Sequence, residues 1–320
     1  MTTQQEIHNI NNFLREPKVR ELVKAHSKIS TPRQLFSLAF DWAVMIGTIL
    51  FCERYFNPLT YMAAVLVIAA RQSALMLIMH EATHLRISKT LWLNDLISDL
   101  FCAYPAGIST EGYRKNHSAH HGALNTDKDP DWARKAHLEE WHFPKTRWQM
   151  TKILLKQFVV GGYQLLTLMW MLSKNDKKKL IYLAVAATAI TVAGIWPQVL
   201  LYWFVPLFTA FPVIQRIRSI AEHLGMPWEH DMNSSRNIKA SPMEKFFLCP
   251  HNVHWHLVHH LFPHIPQHNL KSLHNELMKL DLYHRLSYNN DSYIGVGHSV
   301  FQDVTTPRRA QSETAPSLAA

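Results

Sequence analysis

Cysteine is almost missing from this chain. Three occur in 320 residues, Cys52, Cys102 and Cys249, far apart and with no C-x-x-C pair. That excludes a disulfide framework and a thiolate metal site. It fits a working part facing a reducing compartment. The opening stretch "MTTQQEIHNINNFLREPKVR" carries no apolar h-region, so no cleaved signal peptide is expected. The formal net charge is +9 with 18% charged residues, and no nucleic-acid partner is expected.

What is abundant is apolar sequence and histidine. The chain is 48% hydrophobic and has 21 histidines. Residues 35–53, "LFSLAFDWAVMIGTILFCE", are long enough to cross a bilayer, which needs ~20 mainly apolar residues. After "RYFNPLT", with Asn57-Pro58 as a turn signal, comes "YMAAVLVIAARQSALMLIM", residues 61–79. A second block, residues 180–214, is too long for one crossing and is divided at Gly194, Pro197 and Gln198. The expectation is an all-α membrane protein with four spans, about 35–53, 61–79, 180–196 and 198–214, paired as two hairpins. Lys174, Lys177, Lys178 and Lys179 precede the third span, and Arg216 and Arg218 follow the fourth. By the positive-inside rule that side is cytoplasmic. Both termini lie there, with a helical cap made from 80–179 and 215–301. Residues 91–107 and 157–172 read as short interfacial or re-entrant segments. The single domain spans 1–301, and 302–320 read as a disordered tail.

The histidines gather beside the ends of these spans. His80 and His84 in "HEATH" stand at i and i+4, one face of a helix. "HSAHH" gives His117, His120 and His121, and "HWHLVHH" gives His256, His259 and His260, each at i, i+3, i+4. His223 in "AEH" comes shortly after the fourth span. Taken alone, His80-Glu81-Ala82-Thr83-His84 is an H-E-x-x-H zinc site with Glu81 as general base. A catalytic zinc needs three protein ligands, which leaves most of the other histidines without a role. Nine imidazoles suit two metals with four or five ligands each. Imidazole does not choose among iron, copper, nickel and zinc, but zinc has no redox chemistry.

The stretches "RQSALMLIMHEATH", "YRKNHSAHH", "RIRSIAEH" and "HWHLVHHLFPHIP" resemble the membrane fatty-acid desaturase and hydroxylase superfamily, the histidine-box diiron enzymes. The resemblance covers roughly residues 35–285 and is nearest to bacterial fatty-acid desaturases. It implies two iron ions bound by His80, His84, His117, His120, His121, His223, His256, His259 and His260. It implies O2 as co-substrate and oxidation of an unactivated C–H bond in a fatty acyl chain or free fatty acid. Desaturation ranks first, ahead of hydroxylation, ketolation or oxidative decarboxylation to a terminal alkene. The distant alternative is an intramembrane zinc protease using Glu81. No cytochrome b5-like "HPGG" occurs, so electrons are expected from a separate ferredoxin- or rubredoxin-type protein.

Other polar residues carry weaker expectations. Arg71, within the second span, is a candidate substrate contact. Asp129 and Asp131 are candidates for orienting a ligand imidazole through its free N–H. Arg114, Lys115, Arg216 and Arg218 form basic ground for an acyl carrier, an acidic electron donor or anionic lipid. His251 and His254 fall outside the H-x-x-H-H frame, and His264 and His268 lie in a proline-bounded loop.

Overall fold

The computed structural model of the chain describes residues 3–173, 176–295 and 297–306. Helices α1 (Thr3–Arg15) and α2 (Pro17–His26) lead into α3 (Thr31–Arg54) and α4 (Pro58–Thr83). The turn between α3 and α4 is built by Asn57. Its Oδ1 accepts from Leu59 N and Thr60 N, and Thr60 Oγ1 returns a bond from Asn57 N. Pro58 supplies the first helical residue, where its missing N–H has no consequence. Helix α4 is apolar on all sides, which suits a central helix rather than a surface one. Its second half, from Ile68 to Thr83, is buried at all but one position. It packs against α3 and against the elements that carry the other histidines.

The chain continues through α5 (Leu91–Ser98), a π-helical turn at Asp99–Ala103, α6 (Thr110–Gly122) and the single turn α7 (Pro130–Ala133). Then come α8 (Arg147–Ser173) and α9 (Lys177–Ala193). Gly194 ends α9 in the left-handed conformation (φ +67°), which a glycine adopts without penalty. Short α10 (Trp196–Val199) and α11 (Val205–Phe208) flank a π-helical turn at Leu200–Phe204, and α12 (Ala210–His223) completes the run. The turn frees the Trp203 carbonyl, which accepts from Gln72 Nε2 of α4 at 2.9 Å. Beyond it lie α13 (Pro242–Phe247), α14 (His256–Leu261), α15 (Gln267–Leu277), α16 (Asp281–Leu286) and α17 (Val300–Thr305). Two-residue strands β1 (Asn237–Ile238) and β2 (Asn289–Asn290) pair in parallel. The arm α1–α2 covers α14 and α15 through Ile10, Phe13 and Val19.

Four helices are long and apolar enough to cross a membrane: Thr31–Arg54, Pro58–Thr83, Arg147–Leu172 and Trp196–His223. Large apolar side chains stand exposed along them, among them Phe36, Phe40, Leu50, Leu59, Leu66, Val159 and Leu200. So much exposed apolar surface marks contact with lipid. The first two expected spans match α3 and α4. The expected fourth span is the Trp196–His223 run, nine residues longer at its end than 214, so that the helix itself delivers His223. The expected third span is α9, seventeen residues long, below the length of the other four. The segment 157–172 is not a short interfacial piece. It is the C-terminal part of α8, 27 residues long. Arg147, Lys152 and Lys156 lower the apolar character of its first turns. Its Gly161-Gly162 pair does not break the helix but lets Pro212 and Phe208 approach closely.

The basic residues differ from the expectation too. Arg216 and Arg218 are buried against Glu140 and Glu222, so they are internal ion pairs rather than free topological charge. Lys174 lies outside the described residues. The tail expected from 302 is entered by α17, whose Val304 is buried and whose Asp303 pairs with Arg236 at 2.7 Å; 307–320 lie outside the described residues.

Candidate metal centre

Three helix ends and one short helix bring the histidines together. Helix α4 stops at Thr83. Arg86 N bonds Glu81 O at 2.9 Å and Leu85 N bonds Ala82 O at 3.1 Å, with Leu85 left-handed at φ 59°. That is a Schellman end formed by a residue with a side chain, a strain held next to His84. Arg114 of α6 seals the same end, donating to the Thr83 and Ala82 carbonyls and pairing with Asp95. Cations suit a helix C-terminus, and this one ties α6 to α4.

The nine expected imidazoles converge. His80, His84, His117, His121 and His259 place their ligand nitrogens within 4.8 Å of one another, and His120, His223 and His260 do the same. His256 Nε2 lies 3.0 Å from His223 Nε2 and 3.1 Å from His260 Nε2. His117 Nε2 lies 3.0 Å from both His84 Nε2 and His121 Nε2, and His121 Nε2 is 3.0 Å from His259 Nε2. An ion with bonds of ~2.1 Å to imidazole sets neighbouring ligand atoms about 3.0 Å apart. The spacing therefore fits two ions. His80 Nε2 is buried without a hydrogen-bond partner among the described residues, as befits a lone pair aimed at a metal.

Burial decides the protonation state. It holds His117, His256, His259 and His260 well below the ordinary histidine value, helped by the surrounding imidazoles. Burial, then Arg86 and Arg114, lowers His84 to about 4. Burial, then His84 and His120, lowers His121 to about 3. Neutral imidazole is the form that binds metal.

Asp129 lies against one of these rings. It is 1% exposed and lies 2.9 and 3.0 Å from His120 Nδ1 through its two oxygens. Asn125 N and Asp131 N also donate to it. A proton fixed on His120 Nδ1 leaves Nε2 free for metal. Asp131 stands 4.0 Å from the same ring and is engaged mainly by Arg134 and Asn116.

Glu81 turns away from the histidines. Its Oε2 accepts from Gln267 N at 2.8 Å and Gln34 Nε2 at 3.2 Å. It joins α3 and α4 to the start of α15 and is absent from each group of ligand atoms described above. Arg71 donates to Asp41 Oδ1 at 2.9 Å and to the Phe246 carbonyl. His251 Nε2 lies 2.6 Å from the other Asp41 oxygen. His254 is buried outside the cluster, and the His264 carbonyl accepts from Arg86. Of the basic ground, Lys115 pairs with Glu111 on the surface.

Two neighbours escaped the sequence reading. Glu222, adjacent to His223, brings a carboxylate oxygen to within 4.8 Å of the His223 and His256 ligand atoms. Its signal was Arg218 at i−4, a buried cation requiring a partner. Lys135 donates to Ser219 Oγ at 2.8 Å and lies over Trp141. With Asp131 and Glu222 it lines a polar cavity of about 80 Å³ that reaches His80, His117, His120, His223 and His256.

Comparisons with known proteins supply a family. A model of the fatty acid desaturase family matches residues 57–292, more than half of the chain. The dihydrorhizobitoxine desaturase of Bradyrhizobium elkanii is 28% identical over 254 residues, covering 72% of this chain and 70% of that one. The sn-1 oleoyl-lipid 12-desaturase of Anabaena variabilis is 26% identical over 229 residues, covering 62% of this chain and 63% of that one. Imidazoles converging in close groups, long apolar helices and the family match lead to one assignment: the chain is an oxidoreductase of lipid metabolism and belongs to the fatty acid desaturase family.

Proposed function

We propose that this protein is a membrane-embedded diiron enzyme that desaturates a fatty acyl chain. The observation that carries the reading is the double group of imidazole nitrogens, one of five and one of four, with 3.0–3.1 Å spacings. Iron is the metal that suits imidazole ligands, the family and an oxidative reaction together. Two irons held there would couple reduction of O2 to removal of hydrogen from an unactivated C–H bond. In balance, two hydrogens leave neighbouring carbons, and O2 with two electrons and two protons becomes two waters. The electrons come from a separate ferredoxin- or rubredoxin-type protein.

The residues contribute in distinct ways. The nine histidines hold the metals, and Asp129 holds the His120 tautomer. The lipid-facing apolar helices give the acyl chain its route and its orientation, which supplies much of the rate advantage. Glu81, bonded to Gln34 and to the Gln267 amide, serves packing rather than peptide hydrolysis. Arg71, held by Asp41 and the Phe246 carbonyl, serves packing rather than substrate binding.

In this reading α3–α4 and α9–α12 are two membrane hairpins, and the histidines and both termini lie in a cytoplasmic cap. The two ends of α8 support its place on that side. Met150 packs with Trp141 and Ile220, and the Leu172 carbonyl lies against Gly112 of α6. The names of the two relatives favour a carbon–carbon double bond as product, the second on a lipid-bound oleoyl chain.

Lipid profiling of cells expressing the chain, beside a His120→Ala variant, tests this. New double bonds that vanish with His120→Ala are expected. New hydroxyl groups or terminal alkenes would reassign the outcome, and an unchanged profile with one zinc per chain would sink the reading.

A further inference from the structure

The two groups of ligands are unequal. Five imidazoles surround the first position, and four (His120, His223, His256 and His260) surround the second. The missing fifth donor is present as oxygen. Glu222 directly precedes His223 at the end of α12, and its Oε2 lies 3.8 Å from His256 Nε2. That is too long for a hydrogen bond. It suits two ligand atoms on opposite flanks of one ion with bonds of ~2.1 Å. The other oxygen is anchored. Arg218, one turn back and nearly buried, donates to Glu222 Oε1 at 2.6 Å and to Gln215 at 3.1 Å. One oxygen is thus fixed by a cation, and the other points at imidazole nitrogens.

We infer that Glu222 is the fifth ligand of the second metal, a carboxylate in an otherwise all-histidine centre. The inference rests on the diiron reading above. It makes the two irons unlike. An anionic oxygen next to the second ion stabilises its higher charge by simple Coulomb attraction, so that ion gives up an electron more readily. Arg218 tempers the effect by sharing the carboxylate.

The test uses the full-length protein in detergent, loaded anaerobically with 57Fe(II) and read by Mössbauer spectroscopy. The unaltered protein gives two quadrupole doublets of equal area. Glu222→Ala alters or loses one doublet and keeps the other, which also shows that the variant is folded. One iron passes to a chelator roughly tenfold faster or more, and added formate restores the altered doublet. In Arg218→Gln both irons stay bound. Doublets unchanged in Glu222→Ala and Glu222→Gln overturn the assignment and leave Glu222 as the partner of Arg218. Loss of both irons without rescue by formate overturns it as well. An unaltered protein that takes up no iron refutes the diiron reading itself, whereas two irons indifferent to Glu222 refute the ligand assignment alone.

Discussion

At the scale of residues, the imidazoles owe their chemistry to what their second nitrogen touches and to burial. Asp129→Asn keeps the shape but loses the charge that holds the His120 proton on Nδ1. Retention of the second iron against a chelator should weaken by roughly 10–100-fold, while the first iron stays. Equal release of both irons would count against that role. Acidity acts on the whole set. In the unfolded chain histidine takes up a proton near its ordinary 6.5, whereas His84 resists to about 4 and His121 to about 3. Between those values the unfolded state binds more protons, so stability falls as pH falls. The melting temperature of the metal-free protein in detergent should be flat above pH 7 and drop steadily from pH 6.5 towards 4. A melting temperature that rises on acidification would contradict neutral buried imidazoles. The convergence of these histidines was legible in the sequence because i, i+3, i+4 spacing is itself a statement about one helical face. Asp129 was legible as a carboxylate following the second box. Glu222 was not: Arg218 one turn back marks it as an ion-pair partner, and the role proposed for it depends on where His256 arrives in space.

At the scale of elements, the second box depends on how closely α8 lies on α6. Gly112 faces the Leu172 carbonyl, and a methyl group at that position would overlap the oxygen. Backbone cannot yield as a flexible side chain can, so Gly112→Ala should destabilise by about 1–3 kcal/mol and displace His117. Lower melting temperature together with lower iron content is the expected result; unchanged iron would mean α6 is positioned by α4 alone. The long α8 was the element least visible in the sequence. Its cationic opening and glycine pair imitate a loop followed by a short segment, and only the facing Phe208 and Pro212 explain the glycines. The turn at Asn57-Pro58 was visible because capping chemistry is local.

At the scale of the whole molecule, one buried tie joins the apolar helices to the polar cap. Asp41 of α3 meets Arg71 of α4 and His251 of the segment before α14. His251 and Asn252 are both left-handed, at φ 57° and 59°, so this connection is bent into place rather than relaxed. Arg71→Met takes the cation from a buried carboxylate and leaves it to His251 alone, and should cost about 3–5 kcal/mol. The double variant Arg71→Met with Asp41→Leu should recover part of that loss, read as melting temperature in detergent. A strictly additive loss would show that the two side chains do not act as a pair. The sequence marked Arg71 as unusual for an apolar span, but its partners lie 30 and 175 residues away, and no spacing rule connects them.

The unequal distribution of ligands along the chain also sets the order in which the centre can mature during synthesis. His80, His84, His117 and His121 leave the ribosome within the first 121 residues, so the five-nitrogen group is four-fifths written before α12 exists. The other group then has His120 alone and waits for the last membrane run and for α14. A nascent chain emerges at ~5–20 residues per second, so the stretch between His121 and His259 leaves that nitrogen cluster one donor short for roughly 7–30 seconds. Copper and zinc outcompete ferrous ion at such sites. On the diiron reading, the open cluster would itself favour those ions over iron until His259 arrives.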